Sequence, residues 1–208
     1  MHTLAALPSP VINHASLVAM LDDYARPNDK ISALISSRAL LPLKRGLYLV
    51  AGVGRQSLEL IANHLVGPSY ISRYWALAYY GLLSERVSVI TSMCLNRSRQ
   101  LDTEMGVFHY QAIPAAYYSV GINSIEKDGI AFMMATPEKA LADLLVSTRQ
   151  LRIQSQTAML SYLNHDLRLD EDELTTLDVA QLYSIAGQGY KTLLLTHLAK
   201  TIEGLSHD

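Results

Sequence analysis

His109 lies in an alternating segment close to Glu104, and a carboxylate beside an imidazole is a pairing that can do acid–base work. Spacing brings no nucleophile or metal partner to them, so His109 reads as a strand histidine on a partly polar face. The seven histidines are scattered; no two fall at i, i+3 or i, i+4, so no helix presents a metal-binding pair. Gly52-Val53-Gly54-Arg55-Gln56-Ser57 follows a strand-like run and precedes a helix, as a dinucleotide fingerprint does. A serine replaces the third glycine, and about twenty residues on lies an aromatic helix where an acid on a strand belongs, so the segment reads as a hinge. Gly67-Pro68-Ser69-Tyr70-Ile71 begins like a nucleophile elbow but lacks the second glycine, and reads as a turn before a helix. The only cysteine, Cys94, excludes an internal disulfide and any multi-cysteine zinc or iron–sulfur site; it reads as a small buried hydrophobe. An enzyme resting on Glu104, His109 or Glu138 would need a convergence that spacing does not supply, so the expectation is a non-enzymatic chain with no metal and no cofactor.

Binding chemistry is better represented. Ile31, Leu34 and Ile35 share one helical face, which leaves Ser32, Ala33, Ser36 and Ser37 opposite, flanked by Lys30. Small hydroxyl side chains let a helix approach DNA closely and bond phosphate oxygens or base edges. Lys44 and Arg45 beside Gly46 suit a hairpin that touches the DNA backbone or minor groove. The alternative is an ordinary solvated helix and hairpin. Of twelve tyrosines, Tyr70, Tyr74, Tyr79, Tyr80, Tyr110, Tyr117 and Tyr118 crowd the middle of the chain. They suit packing between a helix and a sheet, or a protein-partner surface in which Tyr74, Tyr79 and Tyr80 take part.

These residues need elements to hold them. Residues 1–12 read as a loose apolar arm. Asn13 starts a helical pattern with Leu17, Val18, Leu21 and Tyr24 on one face; Pro27-Asn28 interrupts it, and Asn28 can cap a second short helix. Leu40–Leu43, Lys44-Arg45-Gly46 and Leu47–Val50 read as strand, basic turn, strand. Two helices and a basic hairpin are the parts of a trimmed winged helix-turn-helix. Ser57 opens a helix with Leu58, Ile61, Ala62 and Leu65 inward. Ser72 can cap a helix that runs to about Tyr80 and stops at Gly81, before an alternating strand with Val87, Val89 and Thr91. A polar turn at 96–102 precedes a strand over Val107–Ile113. Gly121 and Asp128-Gly129 mark turns, and Ile130–Met134 a short strand. Thr136-Pro137-Glu138 is a strong helix start, with Leu141, Leu144 and Leu145 inward. Helices follow near 153–164, 177–186 and 190–204, and Asp170–Glu173 reads as a solvated helix start.

Half of the 208 residues are hydrophobic, enough for a core, and the apolar runs fall well short of the ~18–20 residues that cross a bilayer. With no charged leader before an apolar segment, the reading is a cytoplasmic protein. Net charge is −2, but unevenly spread: residues 1–56 carry six basic and three acidic residues, and the rest carry eleven basic and sixteen acidic. A positive N-terminal part on an acidic body fits DNA binding at that end.

Several blocks resemble the AbiEi antitoxin family, transcriptional regulators of viral defence systems. Tyr24-Ala25-Arg26-Pro27-Asn28-Asp29-Lys30-Ile31 and Leu43-Lys44-Arg45-Gly46-Leu47-Tyr48 resemble its N-terminal winged module. Ile61-Ala62-Asn63, Pro68-Ser69-Tyr70-Ile71-Ser72, Ala76-Leu77, Tyr80-Gly81-Leu82 and Glu85-Arg86-Val87 resemble its central signature. Gly106–Tyr110 and Ala135–Asp143 resemble its later blocks. The resemblance implies an antitoxin of a toxin–antitoxin, abortive-infection operon that binds its own promoter DNA and whose partner is a nucleotidyltransferase-like toxin. A module this short has little room for a third helix, so tight binding would need a homodimer or paired sites.

The sequence therefore predicts an α/β (α+β) chain: a trimmed winged helix-turn-helix over 1–56, then an antitoxin-like domain over 57–208 that is α+β to about 150 and helical over 151–208. The DNA contacts would be Lys30, Ser32, Ser36, Ser37, Lys44 and Arg45. The alternative function is direct binding of the toxin through the tyrosine-rich middle.

Overall fold

Hydroxyl, carboxamide and carboxylate caps set the helix starts. Asn13 accepts a bond from Ser16 N, Ser57 from Leu60 N, Thr136 from Lys139 N and Asp178 from Gln181 N. The computed structural model describes residues 7, 9–53 and 56–206. Gly54 and Arg55 of the glycine-rich segment, and most of the N-terminal arm, lie outside them.

The chain opens with β1 (Val11–Asn13), α1 (His14–Met20), α2 (Pro27–Ser36), β2 (Leu40–Lys44) and β3 (Leu47–Val50). β3 lies between β1 and β2, antiparallel to both. The expected arm thus ends in a strand: Val11 and Ile12 pair with Leu49 and Tyr48. The expected break between the two helices falls at residues 21–26, and Pro27 itself occupies the first turn of α2, where its missing N–H costs nothing. Arg26, not Asn28, is the N-cap residue, and it supplies no side-chain bond.

Next come α3 (Leu58–Leu65), β4 (Ser69–Ile71), α4 (Arg73–Tyr79), β5 (Val89–Cys94), β6 (Arg99–Thr103), β7 (Gly106–Ala112), α5 (Ala115–Tyr118), β8 (Ile122–Lys127), β9 (Ile130–Ala135) and α6 (Pro137–Ser147). The strands form one mixed sheet in the order β6-β7-β5-β4-β9-β8, with β5 parallel to β7 and β4 parallel to β9. β6 replaces the turn expected at 96–102, and β8 fills the interval between the Gly121 and Asp128-Gly129 turns. β5 does not alternate: it sits between two strands, and Ile90 to Cys94 are all buried. The remainder is helical: α7 (Gln156–Ser161) running into a π-helical turn over Tyr162–Asp166, then α8 (Glu171–Thr175), α9 (Val179–Ala186) and α10 (Thr192–Leu205). Asp170 caps α8, as its acidic composition predicts.

Alternation along the small sheet sends side chains into two cores. Ile12, Leu40 and Val50 pack with Leu17, Leu21 and Ile31 of the first two helices. Val11, Leu43, Leu47 and Leu49 point the other way and join the main core with Leu60, Ile61, Leu65, Phe108 and Tyr110. Residue 56 marks where new elements begin, but packing continues across it.

Candidate functional site

The N-terminal candidates follow from the two-faced sheet. Ile31 is buried, and Leu34 and Ile35 pack beside it, so Ser32, Ser36 and Ser37 are left on the exposed side of α2. Two of those hydroxyls donate to their own helix: Ser32 Oγ to Asn28 O at 3.0 Å and Ser37 Oγ to Leu34 O at 3.1 Å. Lys30 lies with its ammonium 5.2 Å from the centre of the Tyr24 ring. Arg45 is exposed at the hairpin tip, which is tied to the start of α1 by a bond from His14 N to Gly46 O at 2.9 Å. Lys44 is differently engaged: its ammonium donates to Leu65 O at the end of α3, which fastens the hairpin to the body. Across the same junction Arg38 Nη2 meets Glu104 Oε2 at 2.6 Å. Glu104 is thus paired with Arg38 and not with His109, which lies in β7 as the strand reading has it. Glu138 is also committed elsewhere, since its Oε1 accepts from Asp178 N at 2.9 Å. The three acid–base candidates are therefore held by three different partners.

The main domain is organised about a buried ion pair that sequence reading took for an ordinary helix start. Lys139 and Asp143 are one turn apart on α6 and both fully buried, with Nζ 3.2 Å from Oδ1. Tyr70 OH and Ser72 Oγ donate to the other carboxylate oxygen at 2.9 and 2.6 Å. Lys139 directs its aligned hydrogen bond to Tyr117 O at 2.8 Å, and its ammonium lies 3.1 Å from the centre of the Tyr117 ring. The Tyr117 hydroxyl faces the same carboxylate without an aligned bond. Burial pushes the Asp143 carboxyl up against the opposing pull of Lys139, Ser72 and the tyrosines, and it pushes the Lys139 amine down to about 8. Burial, reinforced by the Asp143 charge, holds the Tyr70 and Tyr117 phenols well above their ordinary value. Sealed on all sides, this group joins β4, α4, α5 and α6 and offers nothing to a ligand.

Because Ser72 is spent on Asp143, it does not cap α4 with its side chain. Thr91 of β5 does so instead: Trp75 N donates to Thr91 Oγ1 at 3.2 Å, and Thr91 Oγ1 donates to Ser72 O at 2.6 Å. The turn into α4 puts Arg73 in the left-handed region, φ +60°, which is costly for a side chain with a Cβ. Its guanidinium is mostly buried. Nη1 lies 3.3 Å from His109 Nδ1, Nε is buried without an acceptor, and no carboxylate pairs with it among the described residues. Burial first, then the neighbouring guanidinium, hold His109 below its ordinary value, so the imidazole is a neutral acceptor.

A cleft of about 650 Å³ opens between the sheet and the π-helical turn; its polar lining includes Tyr74, Glu85, Arg86, Thr91, Asp166 and Arg168. Arg168 is held by Glu85 at 3.3 Å. Thr91 is the register partner of His109, so the two share a sheet face, but neither His109 nor Arg73 lines the cleft. Tyr74 is 38% exposed on the cleft wall. Tyr79 is engaged from three sides, edge to face with Tyr80 and with Phe132 at 5.4 and 6.3 Å and under the Lys127 ammonium at 5.3 Å. Of the three tyrosines considered for a partner surface, Tyr74 is the exposed one, and Tyr79 and Tyr80 are half-buried. No spacing signal links Arg73 to His109; only the sheet register does.

No protein-family model matches the chain, and no curated protein does. Among solved structures, the crystal structure of the RV2827C protein from Mycobacterium tuberculosis is similar over 98% of this chain and 78% of that one, with a TM-score of 0.53 and 13% sequence identity. At that identity the likeness is one of fold: a mixed α/β architecture shared over nearly the whole chain. Among the described residues no helix is long and apolar enough to cross a membrane.

Proposed function

We propose that this chain is a DNA-binding antitoxin and transcriptional autoregulator of a bacterial toxin–antitoxin operon of the abortive-infection kind, acting without catalysis from the cytoplasm. The observation that carries the reading is the outward face of α2. Ser32, Ser36 and Ser37 stand exposed on a helix whose other face is buried, on an N-terminal unit built as helix, helix, hairpin, in the part of the chain with excess positive charge. In this reading the unit is a trimmed winged helix-turn-helix, as the resemblance to the AbiEi family implies. α2 lies against promoter DNA, Lys30 and Arg45 neutralise phosphates, and the serine hydroxyls turn from their own carbonyls to phosphate or base edges by one bond rotation. Lys44 acts from behind, fixing the hairpin to α3. A homodimer would present two such units to paired half-sites.

The test is a salt-titrated mobility-shift assay on the operon's own upstream DNA with a scrambled duplex alongside. Retardation of the upstream duplex alone, weakening as salt rises, is the expected result. Equal retardation of both, or none at micromolar protein, refutes the regulator.

A second reading is favoured by the exposed Tyr74 beside an open cleft: an antitoxin that binds a nucleotidyltransferase-like toxin directly through this surface, with the N-terminal unit as a structural part. Co-purification with the product of the neighbouring gene, lost in Tyr74→Ala, is the expected result for that reading.

A further inference from the structure

Neither reading uses the outer face of α4. Trp75, Ala78 and Tyr79 fall at i, i+3 and i+4 and lie half-buried together on it. They line a hollow of about 350 Å³ with Leu83 and Arg86 of the segment after α4 and with Glu59 of α3. Leu83 and Arg86 also line the Tyr74 cleft, so the two hollows share that segment as a wall.

Glu59 is the chemically distinctive member. Trp75 Nε1 donates to its Oε1 at 3.0 Å and Ser57 Oγ to its Oε2 at 2.7 Å. These bonds hold the carboxylate and tether the indole, but both donors are neutral, and no cation pairs with Glu59 among the described residues. A carboxylate has about four acceptor sites, so each oxygen keeps capacity for a further donor. A planar ring with two adjacent N–H donors on its edge satisfies such a carboxylate while its face packs on the aromatic wall. Guanine carries that pair as N1–H and the N2 amine. Adenine presents an acceptor at N1 and would set lone pair against lone pair. A guanidinium has the same donors but brings a charge, and the positions around the hollow are already cationic. Arg86 lines it, and the Lys127 ammonium lies 5.3 Å from the centre of the Tyr79 ring. Glu85, the other carboxylate of the lining, is taken by Arg168.

We propose that this hollow binds the guanine base of a free nucleoside or nucleotide, with Glu59 accepting from N1–H and the N2 amine and with Trp75 and Tyr79 as the stacking surface. The volume suits a ligand of nucleoside size.

The full chain has one tryptophan, Trp75, so its fluorescence reports the wall of the hollow directly. The probes are guanosine monophosphate, adenosine monophosphate and free arginine, each titrated to millimolar concentration and corrected by the same titration of free tryptophan. The expected result is saturable quenching by guanosine monophosphate and none by the other two. Glu59→Gln keeps the shape and an acceptor for Trp75 Nε1, and should weaken binding roughly tenfold or more, the loss expected for a bond to a charged acceptor. Ala78→Leu fills the hollow while leaving the carboxylate intact. It should abolish the quenching, and it carries the test if circular dichroism shows that Glu59→Gln does not fold. The proposal is overturned if guanosine monophosphate does not quench, if adenosine monophosphate or arginine quenches equally, or if either folded variant binds as wild type does.

Discussion

A Cβ atom placed on Gly121 would lie 2.8 Å from Cβ of Lys139, and Gly121 has φ +74°. The glycine is required twice, once by its own backbone and once by the lysine against it. Gly121 N-terminal to β8 also accepts the bond from Thr136 N at 2.9 Å, so the turn and the start of α6 are held together. Gly121→Ala should destabilise the fold by about 2–4 kcal/mol, combining the left-handed cost with overpacking. The urea midpoint measures it. A loss within a few tenths of a kcal/mol would show that α6 shifts freely and that the contact does not constrain it.

Removing one charge of the buried pair should cost more than removing both. Lys139→Met leaves the Asp143 carboxylate fully buried against hydroxyls alone, an expected loss of about 3–5 kcal/mol. Lys139→Met with Asp143→Leu removes the uncompensated charge and should be less destabilising than Lys139→Met alone. Equilibrium unfolding of the two single variants and the double closes the cycle. Additive losses would mean that the two charges do not support each other.

The same pair sets a pH dependence. The Lys139 amine is pushed down to about 8 in the fold, against an ordinary value of 10.5 when unfolded. Between these values the unfolded chain binds more protons, so stability rises with pH from about 8, by at most about 1.4 kcal/mol per pH unit. The rise ends near pH 10, where the unfolded tyrosines begin to ionise. Burial holds Tyr70, Tyr110 and Tyr117 protonated in the fold, so stability then falls. Urea titrations at stepped pH should show a maximum on the alkaline side for wild type, and no rise above pH 8 for Lys139→Met.

How much of this was legible in the chain depends on range. Thr136, Ser57 and Asn13 could be recognised as caps because a cap bonds two or three residues away. Gly81 and the Asp128-Gly129 turn were legible for a similar reason: φ of +84° and +75° at the glycines is a local demand. Ser72 had the same credentials as Ser57, yet its hydroxyl goes to Asp143, 71 residues on, and the capping falls to Thr91. β4 is three residues long and buried throughout, too short to show a period. β6 is largely exposed at the sheet edge, so its polar composition resembles a turn. Lys139 and Asp143 at i, i+4 look like a surface pair, and only the surrounding packing makes them a core. Arg73 and His109 meet through strand register, which no local pattern encodes.

Leu49 belongs to the N-terminal unit by sequence and to the main core by packing, where it is fully buried. Leu49→Ala should therefore cost about 2–5 kcal/mol and lower the stability of the whole chain, not of one part. Fluorescence from Trp75, in the body, and amide exchange in α2 should report one coincident transition in wild type and variant. Separate transitions would establish two independent units.

On DNA, the hairpin tip and its root should behave differently. Arg45→Ala removes an exposed charge and should weaken binding to all duplexes, lowering the salt slope by about 1. Lys44→Met, which releases the Leu65 carbonyl, should reduce stability while leaving the salt slope nearer the wild-type value. A slope unchanged in Arg45→Ala takes the hairpin tip out of the DNA-binding reading.

The two-faced small sheet has a further consequence for how the strands find their alignment. In β3, Leu47 and Leu49 face the body while Tyr48 and Val50 face α1 and α2. A slip of β3 by one residue would turn all four the wrong way at once, handing each core the other's side chains. A strand with one solvated face can misalign at the expense of a single core; this one would forfeit two. The ladder is thus proofread from both sides.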